Sequence, residues 1–307
     1  MNIETFDATD RAAWLARRAR DVTASTIGCL LDVHDFITPF ELWALKTGQI
    51  KDDPEETPAM RRGRLLEPVA IEIAREEQPS WTIEPAGLYF RDPAARIGAT
   101  PDAFATCPHR GRGIVQVKTT SDLVFRQKWR DPVTREIDLP LWIACQAVLE
   151  AHLTGSEWAC VALLVVGAGL DLHFIDVPVS DRLVVRLRGE VARFWSMIDN
   201  GEMMPIDYRR DGAALGRVYR EDDGTEADLS DDAEAVTLLD RRKIAREDKS
   251  NAEARLEEID TALKAKLGNA ASAYVAPGRG FSWKTHNRAG YEVKPTTFRM
   301  FRVNDRR

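Results

Sequence analysis

The sequence predicts an α/β fold of the α+β type, a central mixed sheet flanked by helices, with a long C-terminal helix and a small β appendage after it. Three patterns predict it. Residues 158–166 are a near-continuous apolar run, as a strand covered on both faces requires, and residues 170–177 alternate as its neighbour. Short apolar runs at 87–91, 96–99 and 113–118 are separated by turns containing Gly and Pro. Stretches 60–77 and 181–200 carry apolar residues at helical spacing. The order helix, three strands, helix, strand, strand, helix then describes one domain over residues 1–208. A length of 307 residues leaves room for an appendage beyond that core.

In chain order, Asp10 is placed to cap a helix over 11–20, and Thr23 or Ser25 to start another through Ile27, Cys29, Leu30 and Leu31. Thr38-Pro39 pairs a capping hydroxyl with Pro at the first helical position, opening a helix to Lys46. Residues 51–58 form an acidic loop bounded by proline. The helix over 60–77 presents Leu66, Val69, Ala70 and Ile73, and Pro79 ends it. Leu139-Pro140 opens a helix to about Leu153, closed by Gly155. The acidic run in 209–234 is expected to be a linker. Residues 235–307 are expected to form a helix over 235–267 and short strands at 273–275, 280–285 and 298–303. The helix carries an apolar stripe, Leu256, Ile259, Leu263 and Leu267, that needs a partner surface.

Hydrophobic content of 44% with 30% charged residues is that of a soluble, folded chain. No apolar run is long enough to cross a bilayer, and the first residues lack the basic-then-apolar pattern of a secretion signal, so a cytoplasmic location is expected. The four cysteines, Cys29, Cys107, Cys145 and Cys160, show no CxxC spacing, so neither a disulfide framework nor a zinc or iron–sulfur site is suggested, and small buried hydrophobes are expected. A net charge of −6 argues against indiscriminate nucleic-acid binding. Arginines nevertheless cluster at 17–20, 61–64 and 126–130, which is compatible with a basic groove or with solvated helix faces.

The stretch from Ile97 to Lys118 carries the chemistry. It reads as a β-hairpin with Asp102 near the end of one strand and Gln116 and Lys118 on the next. Strand alternation puts Ile114, Gln116 and Lys118 on one face and Val115 and Val117 on the other. A carboxylate able to hold a hard cation, beside a lysine able to orient water or offset negative charge, suits phosphodiester hydrolysis. Taken singly, each residue also reads as ordinary surface chemistry.

Several ordered segments resemble the YqaJ viral recombinase family, the phage lambda exonuclease-like branch of the PD-(D/E)xK nucleases. Trp14-Leu-Ala-Arg-Arg18 followed by Asp21-Val-Thr-Ala-Ser25 looks like its W-x-x-x-R…T-A-S element, and Gly63-Arg-Leu-Leu-Glu67 like its G-x-x-x-E helix. Thr100-Pro-Asp102 and Gln116-Val-Lys118 stand where the family has S-P-D and E-x-K. Pro140 through Gln146 to Thr154-Gly155 resembles its P…Q…T-G helix, with five residues between Pro140 and Gln146. Each motif alone is weak, and their joint order over about 140 residues carries the resemblance.

The resemblance implies a restriction-endonuclease-like core and an Mg²⁺-dependent 5′→3′ exonuclease on linear double-stranded DNA. Mn²⁺ would be a substitute ion. Glu67, Asp102, Gln116 and the carbonyl of Val117 would hold the metal, with Lys118 acting on the attacking water. Arg18, Ser25, Thr100 and Gln146 would bind a terminal 5′-phosphate. Implied partners are DNA ends, a single-strand annealing protein and two further copies in a trimeric ring. Gln116 departs from the family's acidic residue: its oxygen can coordinate but brings no charge. Two alternatives stay open, a catalytically weak DNA-end-binding protein and an endonuclease of the same superfamily.

Overall fold

Local capping chemistry starts several helices of this protein close to where the sequence places them. The computed structural model describes residues 2–51, 56–287, 290, 300 and 301. Strand β1 (Glu4–Asp7) precedes helix α1 (Arg11–Ala19), whose cap Asp10 accepts from the amides of Ala12 and Ala13. Strand β2 (Val22–Thr23) leads into a 3-10 turn, Ile27–Leu31, in place of the expected second helix. The reason is that Val22 and Thr23 are pulled into extended pairing, and Asp32 in the left-handed region stops the turn after five residues. Helix α2 (Pro39–Lys46) is capped by Thr38 and α3 (Pro58–Glu77) by Thr57, the latter running on through Pro68. The buried stripe of α3 is Ala70, Ile71 and Ala74, rotated from the expected one; Val69 is exposed. Its alanines let the helix approach a sheet closely.

There follow β3 (Thr82–Pro85), β4 (Leu88–Asp92), β5 (Ile97–Ala99), β6 (Ala103–Cys107) and β7 (Gly111–Ser121), then helices α4 (Asp122–Lys128) and α5 (Leu141–Thr154). Strands β8 (Trp158–Val166) and β9 (Leu170–Val177) and helices α6 (Asp181–Asp199) and α7 (Gly212–Val218) complete the first unit. Two sheets form rather than one. The larger has the order β3-β6-β7-β8-β9, with β7 and β8 parallel and the rest antiparallel. The smaller has the order β1-β4-β5-β2. The expected hairpin is therefore β6–β7, paired from Ala103–Val115 to Cys107–Gly111, while β5 belongs to the other sheet.

Helix α3 covers one face of the larger sheet, packing Ala70, Ile71 and Ala74 among Val115, Val117, Cys160 and Leu164. Helix α5 covers the other, with Ile143, Ala147, Val148 and Ala151 among Ile114, Val161, Leu163 and Val165. That double cover is why 158–166 is apolar at both parities. Each buried Leu or Val there contributes about 1.5–3 kcal/mol. Gln116 and Lys118 follow Ile114 in the alternation, on the α5 side.

The smaller sheet, α5 and α6 share a second core around Ile27, Phe90, Ile97, Leu149 and Phe194. Buried Asp21 accepts from Tyr89 Oη at 2.8 Å and Arg91 Nε at 2.8 Å, which ties the α1–β2 junction to β4. Gly98 is required beside this network, because a Cβ there would lie 1.8 Å from Tyr89 Oη.

The first unit spans Met1–Tyr219 and the second Arg220–Arg307. Residues 209–219, expected to begin the linker, fold back instead: Ala214 packs with Phe40, Ala44 and Ile50, and Asp211 bonds Thr38. In the second unit, α8 (Ala233–Leu267) is followed by the antiparallel hairpin β10 (Ser272–Ala276) and β11 (Arg279–Ser282). Leu267 is buried, whereas Leu256 and Ile259 are exposed, so the expected stripe is covered only at its C-terminal end. The strand expected at 298–303 lies outside the described residues except for Met300 and Phe301, which belong to no regular element. The loop expected at 51–58 also lies partly outside them. Among the described residues no helix is long and apolar enough to cross a membrane. All four cysteines are buried and unpaired.

Candidate active site

Asp102 stands just before β6, where its carbonyl accepts from Ala86 N at 3.0 Å and its side chain turns toward β7. Asp102 Oδ2 accepts from Gln116 Nε2 at 2.5 Å and from Val117 N at 2.8 Å. Gln116 is 3% exposed, and its Oε1 has no hydrogen-bond partner. One position further along the same face, Lys118 Nζ donates to Gln146 Oε1 at 2.9 Å and lies 5.6 Å from the Trp142 ring centroid. The acid, the amide and the lysine thus converge, with the lysine held by α5.

Burial pushes the Asp102 carboxyl up to about 7, and the neighbouring Glu67 charge adds to this while Lys118 opposes it. Burial also raises Glu67, again against the pull of Lys118. Glu67 on α3, Asp102 and Lys118 therefore share one electrostatic neighbourhood.

The second half of the site comes from the N-terminal segment. Arg18 Nη2 donates to Ser25 Oγ at 3.2 Å, and its guanidinium lies 4.3 Å over the Trp14 ring. Trp14 Nε1 donates to Thr100 Oγ1 at 3.0 Å, and the Thr23 and Ser25 hydroxyls are 3.1 Å apart. Burial pulls Arg18 below the ordinary guanidinium value, with the negative charge of Glu150 among the groups opposing it. Ser25 sits in a turn and caps no helix; the cap reading fails because the residues after it form only the 3-10 turn, whose N-cap Thr26 makes no side-chain capping bond and turns its hydroxyl back to Thr23.

One cavity of about 400 Å³ joins the two halves. Arg18, Ser25, Glu67, Thr100, Asp102, Gln116 and Gln146 line it. Lys118 and Val117 do not, but Lys118 is one hydrogen bond away through Gln146, and the Val117 amide holds Asp102. A larger cavity of about 620 Å³ elsewhere in the first unit gathers Arg126, Arg130 and Arg135, but Glu77, Asp122 and Asp171 line it too, and Asp122 pairs with Arg126 at 2.5 Å. Size does not select the site; convergence of partly unpaired polar groups does.

Two residues were missed by reasoning from sequence. Trp14 is a motif position in the sequence, and only the structure shows it as a donor to Thr100. Glu150 lines the cavity at 1% exposure; Gln146 Nε2 donates to its Oε1 at 2.9 Å, while its Oε2 has no partner. Burial and then the Asp102 charge push Glu150 well above the usual carboxylate range. The available signal was an acid four residues after Gln146 in a helix otherwise apolar on its inner face.

Among the described residues, no three His, Cys, Asp or Glu side chains cluster closely enough to hold a metal by themselves. The donors that do converge, two carboxylates and the Gln116 amide oxygen, are oxygen-only, as a hard divalent ion requires. The orphaned Gln116 Oε1 is a buried acceptor that a cation or its water would satisfy. On that ground the set fits a divalent ion that keeps several waters.

The YqaJ protein of Bacillus subtilis (strain 168) is 22% identical over 273 residues, covering 86% of this chain and 81% of that protein. Among solved structures, the alkaline exonuclease LHK-Exo from Laribacter hongkongensis is similar at a TM-score of 0.47 and 20% identity, over 66% of this chain and 98% of its own. The same exonuclease in complex with dAMP gives a TM-score of 0.43 at 18% identity, over 66% and 98%. The YqaJ-like viral recombinase domain matches residues 13–157, a span that contains most of α1, all of α3, the β6–β7 hairpin and α5, and every residue of the cavity. Over this segment, a little under half of its length, the chain is similar to the YqaJ-like viral recombinase domain family.

Proposed function

We propose that this chain is an Mg²⁺-dependent deoxyribonuclease acting 5′→3′ on linear double-stranded DNA, leaving 3′ single-stranded tails for a separate annealing protein in phage-type homologous recombination. The observation that supports this most is the single cavity in which Glu67, Asp102 and Gln146, with Lys118 behind it, meet Arg18, Ser25 and Thr100. Glu67, Asp102, Gln116 and the Val117 carbonyl would hold a divalent ion, Mg²⁺ or in its place Mn²⁺, which when bound would supply positive charge to the scissile phosphodiester. The residues of the chain supply position and complementary charge. Lys118, its ammonium held by Gln146, orients the attacking water and offsets charge developing on the phosphate oxygens. Arg18 takes the terminal 5′-phosphate through charge-assisted bonds that its planar fork suits, with Ser25, Thr100 and Gln146 as neutral partners. A trimeric ring around the duplex is the assembly that suits an enzyme reading from an end.

One observation favours a second reading, a DNA-end-binding protein with weak chemistry. Gln116 spends its N–H on Asp102, so the third donor of the set is a neutral oxygen. Incubating linear and closed circular duplexes with and without Mg²⁺, using wild type and Lys118→Ala, separates the readings. Loss of linear DNA alone, only with Mg²⁺ and only in wild type, is the expected result. Cut circles would mean an endonuclease, and retarded linear DNA without product under any metal would mean an end-binding protein.

A further inference from the structure

Helix α5 carries two buried polar residues one turn apart, Gln146 at 4% and Glu150 at 1% exposure, among Ile143, Ala147, Val148 and Leu149. Residues four apart stack on one helix face, so the pairing is built into the helix. It continues a line of three: Lys118 Nζ donates to Gln146 Oε1, and Gln146 Nε2 donates to Glu150 Oε1, both at 2.9 Å. A glutamine amide has an acceptor end and a donor end of almost the same shape, and its partners decide which way it lies. An ammonium only donates, and a carboxylate oxygen accepts. Turned over, the amide would set N–H against the ammonium, a repulsive contact, and would lose the acceptor it now has in Glu150 Oε1. Glu150 forms no ion pair of its own, and its Oε2 stays unpartnered, so the buried carboxylate is a cost that a leucine would not incur. The charged groups facing it are Asp102, Lys118 and Arg18.

We propose that Glu150 is a positioning residue for Lys118: it fixes the Gln146 amide so that its oxygen, and not its N–H, meets the Lys118 ammonium. The proposal rests on Lys118 being the residue that acts on the attacking water.

The test uses the full chain and two readouts. One is the rate at which dilute acetic anhydride acylates Lys118 in the metal-free protein, followed by mass spectrometry. The other is kcat and KM on 5′-phosphorylated linear duplex. In Glu150→Leu, Lys118 is expected to acylate faster, and kcat to fall on the order of tenfold, the scale of one charge-assisted hydrogen bond, with KM little changed. Glu150→Gln keeps an acceptor for Gln146 and is expected to match wild type in both readouts. The double variant Gln146→Leu with Glu150→Leu is expected to lose no more than Gln146→Leu alone, because Glu150 acts through Gln146. The exchanged pair Gln146→Glu with Glu150→Gln introduces no buried apolar side chain, and keeps slow acylation. Wild-type behaviour in Glu150→Leu, additive losses in the double variant, leucine-like behaviour in Glu150→Gln, or fast acylation in the exchanged pair would each overturn the proposal. Should wild type digest nothing, the acylation series still decides the relay, and the missing activity counts against the nuclease reading alone.

Discussion

Asp102 and Gln116 share a 2.5 Å hydrogen bond in a buried setting, so the chemistry at position 116 is felt directly at the carboxylate beside it. In Gln116→Glu two acids would face each other where one acid and one amide now sit. Without metal, repulsion should raise Asp102 further and lower the melting temperature; with metal, the added charge should strengthen binding. The expected outcome is a lower Mg²⁺ concentration for half-maximal digestion, read by titrating initial rates. An unchanged midpoint would remove position 116 from the donor set. A second residue-scale test concerns Lys46, whose Nζ donates to the Arg18 carbonyl at 2.7 Å. Burial, with the Arg18 charge adding to it, pulls Lys46 from 10.5 down to about 8. The folded chain then gives up this proton before the unfolded chain does, so stability rises with pH between about 8 and 10.5 and is lost as pH falls back through 8. The gain should be on the order of 1–3 kcal/mol. Lys46→Met should flatten that rise relative to wild type in calorimetric scans across the window, and an identical slope in both proteins would remove Lys46 from the account. Asp102, Gln116 and Lys118 were legible in the sequence because strand alternation and a Gly-rich turn are local. Glu150 was not, because an acid in a helix looks solvated until the strand beneath it is known.

Helix starts were legible for the same reason: Asp10 and Thr38 each bond an amide two or three residues on. Strand partners were not, since the parallel pairing of β7 with β8 joins 113–121 to 158–166 across two helices. Strand β3 was missed because Thr82–Pro85 is a four-residue edge strand, and β6 because Ala103–Cys107 is mostly small residues with little strand preference. The β4–β5 pair offers a test at this scale. Gly98→Ala would drive a methyl into Tyr89 Oη and break its bond to Asp21, whose hold on Arg91 anchors the segment bearing Arg18 and Ser25. Destabilisation of roughly 1–3 kcal/mol or more is expected from urea unfolding. Unaltered stability would show that Tyr89 can move aside without cost.

At the scale of the whole molecule, the cavity lies within the first unit, and the acidic stretch expected as one linker is divided at Tyr219. Helix α7 could not be foreseen from composition, because it is a seven-residue segment whose one fully buried side chain is small: Ala214 fits among Phe40, Ala44 and Ile50, with Leu215 and Val218 half-buried beside it. A chain ending at Tyr219 should therefore keep a cooperative thermal transition, whereas one ending at Tyr208 should melt lower for want of that contact; equal melting temperatures would show that α7 adds nothing. The claim that joins all three scales is that the chain reads a 5′-phosphorylated DNA end and hydrolyses inward from it through Lys118. Its most direct measurement is strand-resolved digestion of a linear duplex bearing either a 5′-phosphate or a 5′-hydroxyl, in Mg²⁺, with wild type and Lys118→Ala. The account predicts progressive loss of the 5′-phosphorylated strand, slower loss from the 5′-hydroxyl end, an intact complementary 3′ strand, and no loss with Lys118→Ala. Loss from the 3′ end, or equal digestion by Lys118→Ala, would contradict it.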